Sequence, residues 1–300
     1  MIPNKTSMKK HILLLAALAN ASVPNLPAQE YFVAQDAGDY YEWFQQHSNA
    51  SALFSDQSTL YIFSHQTPLR EEPCVESKTV LTLSAGETVR NQAYGVEDFI
   101  PSAEIRGYID QWFQVVVDQP DGSTIPGYIW GGHLAKAWHE TDLNQDNNAD
   151  LVLMGLTEGE RTTSRDIRAE LKVLRSGEVI STTELPGMCV FGECDSDALL
   201  RTFAPSGQEN ITMLEASTMM IGCTAGIERA FLIWKGNSFE CVFYGEMTTR
   251  QTYQESPFAV RLTPKAGSAQ ICHFNGIGDD FNPVWKCADR EITASTSAIP

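Results

Sequence analysis

Basic residues are scarce in this sequence. Its 21 Lys and Arg residues face 38 Asp and Glu residues, and the net charge is -17 at pH 7. A surface of this charge repels phosphate backbones and anionic lipid headgroups. We therefore expect no nucleic-acid partner, and divalent cations or basic partners are favoured instead.

The apolar stretch near the N-terminus, Ile12 to Leu18, is far shorter than the ~20 residues that a membrane-spanning helix needs. The basic segment Met8 to His11 precedes it, and the small-x-small triplet Ala19-Asn20-Ala21 follows it. This order is typical of a cleaved signal peptide. We predict a signal peptide over residues 1–21, and hence an exported protein, periplasmic or extracellular, without a membrane span.

The chain has seven cysteines, and export would place them in an oxidising compartment where disulfides persist. Six of them form three local pairs by spacing: Cys189 with Cys194, Cys223 with Cys241, and Cys272 with Cys287. This is only one of the many connectivities that six cysteines allow. Cys74 is left over. We interpret it as a buried small hydrophobe, with an intermolecular pair or a reactive thiol as alternatives.

Motifs of nucleophilic catalysis are missing or poorly placed. A Gly-x-Ser-x-Gly motif is absent, and Cys272 and His273 are adjacent in a predicted strand, so their side chains point to opposite faces. A cysteine nucleophile needs an imidazole beside it. Cys74 would meet His65 or His133 only by coincidence of folding. We therefore predict that the protein is not an enzyme.

Two close carboxylate pairs are candidates for a glycosidase site, in which the separation of two carboxyl groups sets the stereochemical outcome. They are Asp195 with Asp197, and Asp279 with Asp280. Two Asp residues so close in sequence more often hold a turn or a cation, so we assign them no catalytic role.

The segment Asp142 to Asp150 carries side-chain oxygens at its first, third, fifth and ninth places. It has no Glu at the twelfth place and no flanking helix pattern, so it is not an EF-hand. The spacing suits calcium, which takes oxygen ligands from a tight loop. The predicted ligands are four side chains and the backbone carbonyl of Asn148: Asp142, Asn144, Asp146, Asn148 and Asp150. Asn147 occupies the sixth place, where it tolerates a left-handed backbone.

The apolar run Leu151 to Met154 follows this loop directly and predicts a strand. An acidic loop followed by a strand resembles the loop of FG-GAP/VCBS-type repeats, which occur in secreted β-rich proteins. The resemblance implies a structural calcium ion at the start of a C-terminal β-domain. The alternative is a polar linker rich in Asp and Asn. The Asp/Asn spacing has no second copy, so a propeller with a repeated motif is not expected.

Short strands alternate with turns between residues 56 and 138, a pattern that suggests a small barrel. The predicted strands are Leu60 to Phe63, Thr79 to Leu83, Thr88 to Arg90, Trp112 to Val117, and Gly127 to Leu134. This unit resembles a bacterial SH3 (SH3b) domain in four features: Leu69-Arg70 with Pro73, Val80 to Gly86, Trp112-Phe113, and Gly127 to Trp130. The segment Tyr94 to Tyr108 is an insertion relative to that pattern.

The SH3b resemblance implies binding of cell-wall peptides or of protein segments. Rigid amphipathic rings are typical anchors of such ligands. The candidate groove is formed by four aromatic residues: Tyr61, Tyr94, Tyr128 and Trp130. Trp112 and Phe113 are neighbours on an alternating strand, so one is expected to face the barrel core and the other the outside.

The sequence thus predicts a mostly β fold: a small SH3-like barrel followed by a disulfide-stapled antiparallel β-domain, either a sandwich or a partial propeller-like meander. Hairpins are predicted at Ala169 to Ser181 and at Arg229 to Tyr244. The predicted units are the signal peptide, an N-terminal helical segment 22–55 with a helix from Asp36 to His47, the barrel 56–138, the C-terminal domain 139–293, and a disordered tail 294–300.

The role that these features favour is that of a non-catalytic, exported binding protein of the cell envelope. Its SH3b-like unit would engage a peptide or protein ligand, and calcium would stabilise its C-terminal domain. The alternatives are a cell-wall peptidase or amidase with an SH3b targeting domain, and a structural component of an envelope assembly.

Overall fold

The computed structural model describes residues 30–31, 44, 46–92, 101–163, 166–190, 192–194, 196–203, 212–220, 226–248, 260–265, 268–277 and 283–291. The predicted signal peptide and the predicted tail 294–300 lie outside these residues. Of the predicted helix Asp36 to His47, the described residues Phe44, Gln46 and His47 are helical. A short helix, α1, follows at Ala50–Phe54.

A seven-stranded antiparallel sheet, curled like a half-barrel, occupies the region of the predicted barrel. The first strand of the chain, β1 Glu30–Tyr31, belongs to another sheet. The strands of the half-barrel are β2 Thr59–Tyr61, β3 Thr67–Arg70, β4 Thr79–Leu83, β5 Thr88–Asn91, β6 Ser102–Ile105, β7 Tyr108–Asp118 and β8 Thr124–Trp130. The order along the sheet is β2-β5-β7-β8-β3-β4, and β6 pairs with β7. A 3-10 turn, Gly131–His133, ends it. The mostly β fold with a small barrel is confirmed.

Two four-stranded antiparallel meanders follow the half-barrel. The first consists of β9 Ala137–Thr141, β10 Asp150–Leu156, β11 Arg168–Arg175 and β12 Glu178–Pro186. The second consists of β13 Ser196–Phe203, β14 Met213–Met220, β15 Gly226–Trp234 and β16 Phe239–Thr248, and a 3-10 turn at Gly192–Cys194 precedes it. Both predicted hairpins are present. The predicted boundary between residues 138 and 139 falls inside β9, because β9 already pairs with β10.

A third four-stranded sheet combines the two ends of the described chain. Its C-terminal strands are β17 Val260–Lys265, β18 Ser268–Ile277 and β19 Pro283–Glu291, and β1 pairs with β17 through Glu30 opposite Leu262. The prediction of a helical segment 22–55 is therefore wrong for residues 30 and 31. Backbone pairing with a strand distant in sequence decides their conformation, and no local pattern signals such a partner.

Strand β7 alternates between two different cores. Phe113 packs in the barrel core with residues such as Leu60 and Ile129. Trp112, which points the other way, packs in a larger cluster with residues of both meanders. The face expected to lie outside is therefore covered, and Trp112 is only 2% exposed.

The half-barrel and the first meander meet at a seam formed by residues 62–65 and by strands β10 and β11. Gly155 on β10 lies directly against the ring of Phe63, where any larger side chain would collide with it. Lys172 on β11 donates from Nζ to the Phe63 carbonyl oxygen (3.0 Å), and the same Nζ lies 4.5 Å from the centre of the Phe63 ring. The seam thus combines close packing, a hydrogen bond and a cation–π contact. In the described part of the chain, no helix has the length and apolarity needed to cross a membrane.

Candidate functional site

The acidic loop connects β9 to β10, two neighbouring strands of the first meander. It is therefore a hairpin loop within one sheet. Two of its residues have a left-handed backbone, Gln145 (φ 61°) and Asn147 (φ 66°). The conformation predicted for Asn147 is confirmed.

Side-chain oxygens at the first, third and fifth places organise the loop through its own backbone. Asp142 accepts hydrogen bonds from the N–H groups of Asp146 (3.1 Å) and Asn147 (2.7 Å). Asp146 accepts from the N–H of Asn148 (2.8 Å) and from the side-chain amide of Asn144 (2.9 Å). These donors, the Asn144 amide first, lower the pKa of Asp146. The two carboxylates are held in one small, solvent-accessible loop.

The ninth-place residue has a different environment. Asp150 is only 1% exposed, and its carboxylate receives Nε (2.8 Å) and Nη2 (3.1 Å) of Arg175 together with the N–H of Leu143 (3.3 Å). The side-chain hydrogen bond to Asp150 raises the pKa of Arg175, and the charges of Asp146 and Asp142 add to this. The side chains of Asp142, Asn144 and Asp146 are therefore bonded within the loop, whereas the carboxylate of Asp150 is held by an arginine.

Arg175 was not among the residues singled out from the sequence. The register of the sheet brings it to the loop, because β11 pairs with β10 through Leu174 opposite Leu151. Arg175 and Asp150 directly follow and precede this pair in the sequence, and their side chains form an ion pair at the end of the sheet that carries the acidic loop. Among the described residues, no group of three or more His, Cys, Asp or Glu side chains converges as a metal site. A cation at the loop would therefore depend on amide and backbone oxygens as well as on carboxylates.

Three of the four aromatic residues of the predicted groove are described by the structure, and these three, Tyr61, Tyr128 and Trp130, do not form one open groove. Trp130 is fully buried, and its indole N–H donates to the carbonyl oxygens of Ala103 (2.9 Å) and Asp110 (3.2 Å). It therefore cannot line an open groove, because the meanders cover this face of the barrel.

The other three aromatic residues are placed differently. Tyr61 is half-buried and packs on Trp138, with ring centres 5.4 Å apart. Tyr128 is half-buried against the larger core. Tyr94 lies outside the described residues. The barrel surface thus offers two separate, partly exposed tyrosines instead of one aromatic groove.

The structure bears on two of the three predicted cysteine pairs. Cys189 and Cys194 form a disulfide, and Cys287 is disulfide-bonded and lies directly opposite Cys272 in the register of β18 and β19. Cys241 is exposed, and Cys223 lies outside the described residues.

The interpretation of Cys74 as a buried hydrophobe is wrong. Its thiol is exposed and donates to Glu76 (2.9 Å), which lowers the pKa of that carboxyl. The turn between β3 and β4 places it at the surface, away from either core.

The histidines considered as catalytic partners have other roles. His133 Nδ1 lies 2.9 Å from the hydroxyl of Ser64, and its carbonyl oxygen accepts the N–H groups of Phe63 (2.8 Å) and Ser64 (3.3 Å). Burial lowers its pKa to about 4, with a further contribution from the charge of Arg106. His65 is exposed and donates its backbone N–H to Glu158 (3.0 Å). His133 is thus a structural residue of the seam.

Of the two carboxylate pairs considered as a glycosidase site, only Asp197, on β13, lies within the described residues.

Comparisons with protein-family models, with curated protein sequences and with solved structures found no match to this chain.

Proposed function

We propose that the protein is an exported, non-catalytic binding protein of the cell envelope whose first meander is stabilised by calcium at the Asp142 to Asp150 loop. The observation that carries this proposal is the loop itself, in which Asp142 accepts backbone N–H groups of the loop and the side-chain amide of Asn144 donates to Asp146. A gathered set of oxygens needs little reorganisation to accept a hard cation. Calcium sites of this kind suit an extracellular setting, where the ion is abundant.

Two further features support export and binding. A disulfide such as Cys189–Cys194 is typical of an oxidising compartment, which agrees with the predicted signal peptide and with a periplasmic or extracellular location. The SH3b-like order of residues falls on the strands of the half-barrel, and such units engage peptide or protein ligands. Tyr128, half-buried on β8, is our candidate contact for such a ligand.

Calcium is expected to raise the melting temperature of the wild-type protein. At ten times its dissociation constant, the ion would add about 1.4 kcal/mol to the free energy of unfolding. The variant Asp146→Ala should lose this rise, because it removes the carboxylate at the fifth place. Calorimetry in calcium and in chelator measures both.

The matched control is Asp121→Ala, which removes an exposed turn aspartate whose carboxylate holds Ser123 (2.9 Å to the backbone N–H). That variant should keep the full response to calcium. A wild-type melting temperature that is the same in calcium and in chelator would remove the ion from the proposal.

Binding to the envelope is tested by incubating the mature protein with insoluble peptidoglycan. We expect the protein to sediment with the material and to release no soluble fragments. Tyr128→Ala should weaken binding about tenfold, the effect of a contact worth about 1.4 kcal/mol. Ile180→Ala, which truncates an exposed apolar residue on β12, is the control. Soluble fragments would replace this proposal with a peptidase or amidase, and failure to sediment would favour a structural role.

A further inference from the structure

Arg106 occupies an unusual backbone position at the tip of the β6–β7 hairpin. Arg106 and Gly107 both have positive φ values, 57° and 78°, as a tight two-residue hairpin turn requires. Positive φ is uncommon for a residue with a long side chain. The backbone N–H of Arg161 donates to the Arg106 carbonyl oxygen (2.9 Å) and holds the turn against the β10–β11 connection. The turn thereby fixes the backbone position from which the side chain of Arg106 extends.

The guanidinium of Arg106 lies over the ring of Trp130, 5.7 Å from its centre. That ring is fixed, because it is fully buried and its N–H is bonded to two backbone carbonyls. A fixed ring below a guanidinium makes a cation–π contact with it and sets the orientation of the guanidinium plane.

One edge of this guanidinium has no hydrogen-bond acceptor. Its Nε and Nη2 atoms are shielded from solvent and have no hydrogen-bond partner, and Arg106 forms no ion pair with any residue that the structure describes. Nε–H and Nη2–H lie on the same side of a guanidinium and together match two oxygens of a carboxylate or phosphate.

Two other arginines of the chain show how this edge is normally filled. Arg175 places Nε and Nη2 at 2.8 and 3.1 Å from the oxygens of Asp150, and Arg90 places them at 3.3 and 2.7 Å from those of Asp118. Both arginines hold an oxyanion side-on through the same two nitrogens. Arg106 presents the same pair of donors without the oxyanion.

Nearby carboxylates do not supply the missing oxygens. Glu158 bonds to Lys172 and to the backbone N–H of His65, and Glu170 bonds to the hydroxyl of Thr157 (2.5 Å). Burial lowers the pKa of Arg106, and the more distant charges of Glu158 and Glu170 offset this only partly. A buried cation without a direct acceptor is costly, since its lost hydration is not replaced.

The geometry points to an oxyanion-binding site at Arg106, in which Nε and Nη2 receive two oxygens of a carboxylate or phosphate group on a ligand. Arg106 as a whole is only half-buried, and no hydrogen bond holds its Nε or Nη2, so part of the side chain can be reached from solvent. The net charge of -17 opposes non-specific anion binding, so a bound anion would mark a built site. This inference is independent of the calcium loop and of the envelope ligand.

The test is calorimetric titration of the full mature chain with sodium acetate and, separately, with inorganic phosphate, at an ionic strength held constant with chloride. We expect saturable binding of at least one of the two. Arg106→Lys, which keeps the charge but removes the paired Nε and Nη2 donors, should weaken anion binding at least about tenfold. Arg90→Lys, whose edge is already filled by Asp118, is the matched control and should bind as the wild type does.

Glu158→Gln provides a variant with the opposite expected sign, because it removes a negative charge close to the site and keeps the hydrogen-bonding shape. It should bind the anion several-fold more tightly. Binding of acetate alone assigns a planar carboxylate, of phosphate alone a tetrahedral group, and of both a general oxyanion site. Should Arg106→Lys fail to fold, the Nε–H resonances of the wild-type arginines are followed instead, and one should shift saturably with the bound anion. No saturable binding, or equal binding by wild type and Arg106→Lys, overturns the inference.

Discussion

Glu215→Gln is expected to lower the free energy of unfolding by about 3–5 kcal/mol, the cost of leaving buried charges without their partner. Glu215 is fully buried on β14, and its carboxylate lies 2.6 Å from Arg201 and 2.8 Å from Arg229. Burial raises the pKa of Glu215, but the charges of Arg229 and Arg201, together with side-chain hydrogen bonds from Ser217 and Arg201, lower it by more, so the carboxylate stays ionised at neutral pH. Gln has nearly the same volume, so the loss reports charge and not a cavity. Equilibrium unfolding in urea at pH 7 measures it.

Glu184→Gln is the matched control, because Glu184 faces Arg168 at 3.6 Å with its side chain 54% exposed. An exposed pair of this kind contributes less than about 1 kcal/mol. A loss for Glu215→Gln no larger than that of the control would mean that the second meander does not depend on its buried ion pairs.

Acidification is expected to destabilise the protein through His133 in the window between pH 6.5 and pH 4. The pKa of His133 is about 4 in the folded protein and about 6.5 in an unfolded chain, so within this window the unfolded state binds the proton more readily. The contribution is fully present above pH 6.5 and is lost as the pH falls towards 4. Between pH 7 and pH 4.5 the loss amounts to about 2.5 kcal/mol. Urea unfolding of the wild type and of His133→Gln at both pH values measures it.

Gln at position 133 keeps a polar partner for Ser64 but does not titrate, so the unfolding free energy of His133→Gln should depend on pH less steeply than that of the wild type. The buried carboxylates titrate in both proteins and cancel in the difference. His65→Gln, at an exposed histidine, should retain the steep dependence of the wild type. Identical pH profiles for His133→Gln and the wild type would show that the imidazole is not desolvated at the seam.

The strands of the half-barrel were predictable because their signals are local. Trp112 to Val117 alternates between two faces, and Gly122, with φ 82°, provides the turn that follows. The hairpin at Ser176-Gly177 was equally predictable, and both residues adopt the positive φ values, 52° and 82°, of a two-residue hairpin turn. Periodicity and turn chemistry are properties of a few adjacent residues, and tertiary packing did not override them here.

The site was less predictable because burial depends on what covers a face. Alternation correctly assigned Trp112 and Phe113 to opposite faces, but it carries no information about the meanders that cover Trp112 and Trp130. The aromatic groove was inferred from rings that the fold uses as core. Asp150 shows the same limit, because its carboxylate was assigned to a cation from spacing alone, whereas its partner Arg175 comes from a strand more than twenty positions later.

Strand β7, with a core on each of its faces, makes the half-barrel an inseparable part of this chain. Cutting out residues 56–138 would uncover Tyr108, Trp112 and Trp130, each of which buries about 150–250 Å² when packed. Their sum matches or exceeds the largest apolar patch that a typical monomer exposes. An SH3b-like unit that recombines freely between proteins must fold as an independent module. The half-barrel of this chain lacks that independence, because the core that it shares with the meanders fixes its orientation on them.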